Sequence, residues 1–450
     1  MRGKIILALL AGLYAGGANG EDLLQIFDIA TQNDPKLLEA EANRNALLES
    51  RPQALAKLLP TFAIIGNLNQ SRYDTSRTYT SLQIGLQNFW DSNVNLKLTQ
   101  PIYHHDYWVQ LSQAENQIAQ AEAEYGTELQ ELFTRTAKAY FGVLSAEDVL
   151  EFAKAEKRAM ERQHEQAEAK YRNGTLAEAE RREAQAALDL AAANTISAQR
   201  AVAIARAGLG EITGNADLNL ARLAANLPLL PPEPNDIKKW SGLAQDNNLT
   251  IIAAQNRMEF ANKNKELQFA GHLPTLDMVG SVGVADTDRP AGLVANSQVV
   301  GLQLNVPLYQ GGLVNSKERQ AEFQYVSAKQ HLDRSRRAVE KQIHEAFYGV
   351  EFTMQQIKAQ QSAVESTQTA VETAEAGFRV GTRLMVDVIT AERNFYRAQK
   401  DYAQARYDYI YNSLLLKQTA SALTRQDVEI VNTWLEAVTR PNHYEIAETN

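Results

Sequence analysis

Few residues in this chain are placed to do covalent chemistry. The 450 residues include no cysteine, which removes thiol nucleophiles, thiolate metal sites and disulfide scaffolds together. Seven histidines are present, but their spacing suits no metal. His104-His105-Asp106 points three ways round a helix, and His164-Glu165 and His344-Glu345 lack a second imidazole four residues on. No phosphate loop or dinucleotide fingerprint occurs, so neither an enzyme nor a cofactor is expected. The acids that stand out are Glu180, six residues after Gly174, and Asp387, six after Gly381. A carboxylate on a helix surface is ordinarily just solvated. Repeated round a symmetry axis, it becomes a ring whose negative field draws cations and repels anions.

The elements that would position such a ring are written in the distribution of residue types. With 45 Lys+Arg against 54 Asp+Glu, a formal charge of −9, nucleic acid is not an expected partner. Mean hydropathy is −0.36, and no apolar run after residue 20 is long enough for a spanning helix. Residues 1–20 combine Arg2 and Lys4, an apolar stretch Ile5–Tyr14 and the small-residue site Ala18-Asn19-Gly20. That layout predicts a secretory signal peptide, the alternative being a short buried helix. The mature chain is thus expected outside the cytoplasm, and without a cysteine it carries no lipid anchor.

Proline leaves two long gaps, 102–227 and 308–440, both rich in Ala, Glu, Gln, Lys, Arg and Leu. One glycine-centred turn breaks each: Arg172-Asn173-Gly174-Thr175 and Arg379-Val380-Gly381-Thr382. Each gap reads as a long helical hairpin whose first arm, about 102–172 or 308–379, rises ~105 Å. Each long arm can lie beside two shorter helices stacked end to end, 175–214 with 237–271 and 383–424 with 22–58. An isolated coiled coil would explain the helices alone, but 61–100 and 275–306 alternate instead. Val94, Leu96 and Leu98 are interleaved with polar residues, as are Val300, Leu302, Leu304 and Val306. Strands are expected at about 61–72, 84–100, 275–285 and 297–306. Period two with one polar face is the pattern of a membrane β-barrel, although a half-buried soluble hairpin shows it too. Phe89, Trp90, Tyr103, Trp108 and Tyr309 flank the strands, where aromatics anchor at membrane interfaces.

The two halves repeat one plan. Leu59-Pro60-Thr61 matches Leu273-Pro274-Thr275, Pro101-Ile102-Tyr103 matches Pro307-Leu308-Tyr309, and Gly174-Thr175 matches Gly381-Thr382. The organisation predicted is a first repeat over 21–226, a proline-rich connector over 227–236, a second repeat over 237–424 and a tail over 425–450. Four strands cannot close a barrel, and lipid tolerates no open edge. Two chains give eight strands with a filled interior, and three give twelve with a lumen. The polar strand faces favour three. The fold class expected is mostly α with a small β part. Its hairpins form a trimeric α-barrel continuous with a twelve-stranded membrane β-barrel, four strands per chain.

Gly271-His272-Leu273-Pro274-Thr275-Leu276-Asp277, Pro307–Ser316 and Val380–Val388 carry a resemblance that extends over essentially the whole mature chain. On these residues, with Ala139-Tyr140-Phe141 and Asp148-Val149-Leu150, the sequence resembles the TolC-type outer-membrane channel-tunnel proteins of Gram-negative bacteria. The resemblance implies a homotrimeric exit duct in outer-membrane lipid, with a long periplasmic extension, serving drug efflux or type I protein secretion. It implies docking to a periplasmic adaptor and an inner-membrane transporter of the ABC or RND type, with an entrance that opens when they engage. The docking tips would be Arg172–Thr175 and Arg379–Thr382. Asp387 would line the constriction, and a second acid of the family three residues on is Thr390 here, leaving one ring. Arg383 matches an arginine that ties the inner hairpin to its neighbour, and Glu180 would be its partner. Phe378 stands where close relatives have tyrosine, so no hydroxyl bond forms there. Rival readings are a periplasmic coiled-coil adaptor, which needs a lipoyl-like β domain between its arms, and a structural coiled coil, which leaves the strands unexplained.

Overall fold

The computed structural model describes residues 20–74, 86–288 and 293–436; the expected signal peptide up to Asn19 and the tail beyond 436 lie outside them. In chain order the elements are α1 (Leu23–Asn33), α2 (Pro35–Leu48), α3 (Ser50–Ala56), β1 (Thr61–Asp74), β2 (Leu86–Tyr103), α4 (His105–Arg172) and α5 (Glu178–Thr213). The second half runs β3 (Arg222–Leu223), α6 (Ile237–Asn247), α7 (Leu249–Phe269), a 3-10 turn (Ala270–His272), β4 (Thr275–Thr287), β5 (Leu293–Asn305), α8 (Leu313–Arg379), α9 (Met385–Thr419), α10 (Arg425–Asn432) and β6 (Leu435–Glu436). The chain is mostly helical with a small β part, and the order of elements repeats.

One compact unit comprises 40–126 and 249–337. Its sheet is antiparallel throughout, in the order β1-β2-β4-β5, so the two repeats meet at the β2–β4 pair. The register sets Ile64 opposite Leu96, Leu96 opposite Val282, and Val94 opposite Val284. Phe62, Ile64, Val300 and Leu302 on that face are 69 to 83 % exposed, an apolar surface left uncovered among the described residues. The opposite face is polar: Asn67 and Asn95 both donate to Asn93 Oδ1, at 3.0 and 3.1 Å, and Ser71 donates to Asp91. Strand β2 runs to Tyr103, past the 100 expected, because a bulge between Pro101 and Tyr103 absorbs the proline. Strand β5 starts at Leu293, four residues before the alternation becomes clear. At the end of β2, His104 faces Asp277 at 3.1 Å and Asp106 at 3.4 Å, while His105 turns to Glu266 at 3.2 Å. The adjacent imidazoles therefore face separate carboxylates.

The other unit comprises the residues up to Glu39, 127–248 and 338 onward. Tyr140 is fully buried, and its hydroxyl donates to the carbonyls of Ala221 (2.7 Å) and Glu21 (3.2 Å). Tyr409 pins the proline-rich connector by donating to Leu230 O at 2.9 Å and accepting from Leu230 N at 2.8 Å. Tyr407 donates to Asp148 at 2.7 Å; burial raises the pKa of both groups, more than this bond lowers that of the acid.

The shorter helices differ from the continuous 22–58 and 237–271 read from sequence. Each is interrupted at a repeat-equivalent position, Asp34 (ψ 114°) and Asn248 (ψ 122°). The residue before Pro35 is steered out of the helical region. Asp34 then caps α2 by accepting from Leu37 N and holds Arg135 at 2.9 Å, while Asn248 donates to Thr419 O at 2.7 Å. Helices α4 and α8 are unbroken over 68 and 67 residues.

Candidate functional site at the hairpin turns

The two glycine turns are built alike. Gly174 and Gly381 adopt φ of 71° and 82°, a left-handed conformation that glycine takes without a Cβ penalty. In both, the following threonine closes a six-residue loop: Thr175 N bonds Lys170 O at 3.0 Å and Thr382 N bonds Gly377 O at 2.8 Å. Each threonine hydroxyl donates to the same carbonyl, at 3.0 and 3.1 Å. The equivalence of the two repeats thus extends to individual hydrogen bonds.

Around the first turn, Arg181 pairs with Glu178 at 2.7 Å and Glu168 at 3.4 Å, and Arg182 also takes Glu178 at 2.7 Å. Hydrogen bonds from Arg181 and Arg182 hold the Glu178 carboxyl down at about 2. Glu180, two residues beyond Glu178, makes no ion pair among the described residues. Around the second turn, Arg383 is exposed, and its stem packs on Gly377, where an added β-carbon would come within 2.6 Å of Arg383 Cγ. No carboxylate among the described residues lies within ion-pair reach of Arg383, so the expected Arg383–Glu180 pair does not form within one chain. The reason is local: Glu178, at i−3 and i−4 from the two arginines, is the acid their helix presents to them, and Arg383 folds back on its own hairpin.

Asp387 accepts a hydrogen bond from Leu384 N at 3.0 Å, in the first turn of α9, where a carboxylate complements the helix dipole. It remains half-exposed and Thr390 is exposed, while Met385, Val388 and Ile389 on the opposite face are buried. That inner face meets Ala159, Met160 and Ala167 of α4 and Ala184 and Ala191 of α5, with Phe378 and Tyr396 partly buried against them. The cluster joins the two hairpins beneath the turns.

Sequence reasoning missed two contacts in this cluster. Lys170 Nζ sits 3.6 Å from the centroid of the Phe378 ring, a cation–π contact in the place of the missing hydroxyl. Lys170 is the repeat-equivalent of Gly377, but the contact forms only when the two hairpins pack, so no local pattern announced it. Gln163 donates to Glu392 at 3.3 Å, both residues being buried. Its signal was an acid on the Met385, Ile389, Tyr396 stripe.

The outer membrane efflux protein family matches the chain twice, over residues 26–215 and 240–438, one match per repeat. Outer membrane protein TolC of Vibrio cholerae is 34 % identical over 96 % of this chain and 98 % of its own length. Proteases secretion protein PrtF of Dickeya chrysanthemi is 25 % identical over 97 % of this chain and 96 % of its own. The Campylobacter jejuni CmeC outer membrane channel superposes with a TM-score of 0.80 at 16 % identity, covering 95 % of each chain. No described helix is long and apolar enough to cross a membrane. The exposed apolar sheet face, the paired hairpins and both family matches agree: the chain belongs to the outer membrane efflux protein family and acts at the outer membrane.

Proposed function

We propose that three copies of the chain close a twelve-stranded barrel and serve as the outer-membrane exit duct of tripartite drug efflux, type I protein secretion, or both. The observation that carries this reading is the four-stranded sheet. One of its faces is apolar and exposed, the other is lined by Asn67, Asn93 and Asn95, and its edges β1 and β5 are unpaired among the described residues. Lipid admits a sheet only when every edge is paired, and twelve strands leave room for a wet lumen. The names of the TolC and PrtF relatives support an outer-membrane location and a link to secretion. A periplasmic adaptor and an inner-membrane ABC or RND transporter are the partners of this reading. They would engage the turns at Arg172, Asn173, Gly174 and Thr175 and at Arg379, Val380, Gly381 and Thr382.

Asp387 faces away from the cluster and forms the cation-attracting ring of the entrance. Arg383, unpaired among the described residues, pairs across to a neighbouring copy, with Glu180 as its acid. Native mass measurement of the detergent-extracted protein tests the assembly. A heat-modifiable trimer from the outer-membrane fraction is expected; a monomer or dimer overturns the reading in favour of a periplasmic adaptor or structural coiled coil.

A further inference from the structure

One acid interrupts the apolar face that holds the two hairpins together. Met385, Ile389 and Tyr396 of α9 follow helical spacing into the cluster with α4 and α5. Glu392 lies on the same stripe and is only 4 % exposed. Its Oε1 accepts from Gln163 Nε2 at 3.3 Å, and Gln163 is itself 5 % exposed. The other half of each group, Glu392 Oε2 and Gln163 Oε1, is buried without a donor. An ionised carboxylate is acceptor-only, so ionisation leaves two orphaned oxygens in one dry contact. A single proton on Oε2 supplies the donor that both lack: the amide N–H bonds Oε1 and the acid O–H bonds the amide oxygen, a reciprocal pair.

The surroundings favour that proton. Burial is the main cause raising the pKa of Glu392; the Gln163 bond opposes it, Glu375 of α8 and Glu156 of α4 add to it, and Arg162 of α4 opposes it. Tyr396, one turn along α9, is pushed up by burial and then by Glu392. Helix α5 contributes Ala184, Ala191 and Leu188 to the cluster.

We propose that the Glu392–Gln163 contact is a proton-dependent latch, fastening α9 to α4 with the proton bound and loosening as the carboxylate forms and draws in water. The role of this latch in gating rests on the entrance reading above. The sign follows from linkage: the joined state is the one that binds the proton. Its hold is therefore complete at acid pH and is lost as pH rises from the ordinary glutamate range through the raised value of Glu392.

Two measurements on the full-length protein test the latch. In planar bilayers the parent's open probability should rise several-fold between about pH 5 and about pH 8, the direction that linkage requires. In Glu392→Gln, which keeps a neutral group of the same shape, the rise should shrink to less than about twofold. At about pH 5.5 an unperturbed glutamate is about nine-tenths ionised, so infrared difference spectra of parent minus variant should show the carbonyl band of a protonated acid. A carboxylate band there, or a variant profile matching the parent's, overturns the latch. If Glu392→Gln yields no trimers, the parent decides with carbon-13-labelled glutamate. Its buried-acid band must fade with rising pH in step with conductance, and a band that persists through the rise overturns the latch. A parent that forms no channel overturns the duct reading instead, and the infrared band still decides the protonation on which the latch depends.

Discussion

Phe378 has no hydroxyl, and the charged end of Lys170 sits over its ring instead. Such a contact contributes ~0.5–1 kcal/mol at an exposed site, so within each chain the hairpins are joined at the tip by a cation on an aromatic face. Arg383 has no acid within ion-pair reach among the described residues, which leaves it open to a neighbouring copy in the proposed trimer. A partly exposed ion pair is worth about 1 kcal/mol or less. Three copies acting together sum to a few times that, enough to bias an entrance that partners can still open. Arg383→Ser should therefore raise single-channel conductance in planar bilayers. Asp387→Ala should chiefly lower cation selectivity and block by multivalent cations. Conductance unchanged in Arg383→Ser would remove the interchain pair from the gate. At this scale the sequence singled out Asp387 by its spacing from Gly381, equal to that of Glu180 from Gly174, while the constriction role proposed for it came from the family resemblance. It could not place Lys170 on Phe378, since no periodicity links side chains that meet only when two distant hairpins pack.

The helical hairpins were legible because their signals are local: proline-free runs, strong helix formers, and one glycine turn each. The breaks at Asp34 and Asn248 were less so. Only Asp34 stands before a proline, and the Asn248 break rests on a bond to Thr419 O that no local pattern announces. The strand alternation was legible for the same reason as the helices, and β2 overran its expected end because the bulge is a tertiary feature of its pairing with β4. The left-handed glycines are the sharpest test of the turns as docking elements. A branched residue at φ near 71° or 82° costs ~1–3 kcal/mol, a local distortion beside helices of 68 and 67 residues. Gly174→Val with Gly381→Val should therefore leave the amount of trimer unchanged. The double variant should abolish efflux, read as drug sensitivity of cells whose only copy it is. Full resistance would move adaptor docking away from the turns.

At the scale of the whole molecule, the repeat explains why one chain is an incomplete object. Duplication has produced a sheet whose centre, β2–β4, is sealed by the two halves of one chain, while β1 and β5 are its edges among the described residues, left for other copies in the proposed trimer. That arithmetic was open in the sequence once four alternating segments were counted, since lipid excludes unpaired edges whatever the side chains. It also has a genetic consequence. In a closed ring each copy supplies one β1 edge and one β5 edge, so a chain unable to offer either cannot be bypassed by its neighbours. A Val299→Pro, Gly301→Pro change, which removes backbone donors along β5, should therefore be dominant over the intact allele. Intact ducts should fall as the cube of the intact-chain fraction, to about one-eighth at equal expression for random threefold assembly. Recessive behaviour would mean that defective chains are sorted out before the ring closes. A transport defect in such a protein is thus inherited through the company the chain keeps, and half a cell's supply can silence most of its exits.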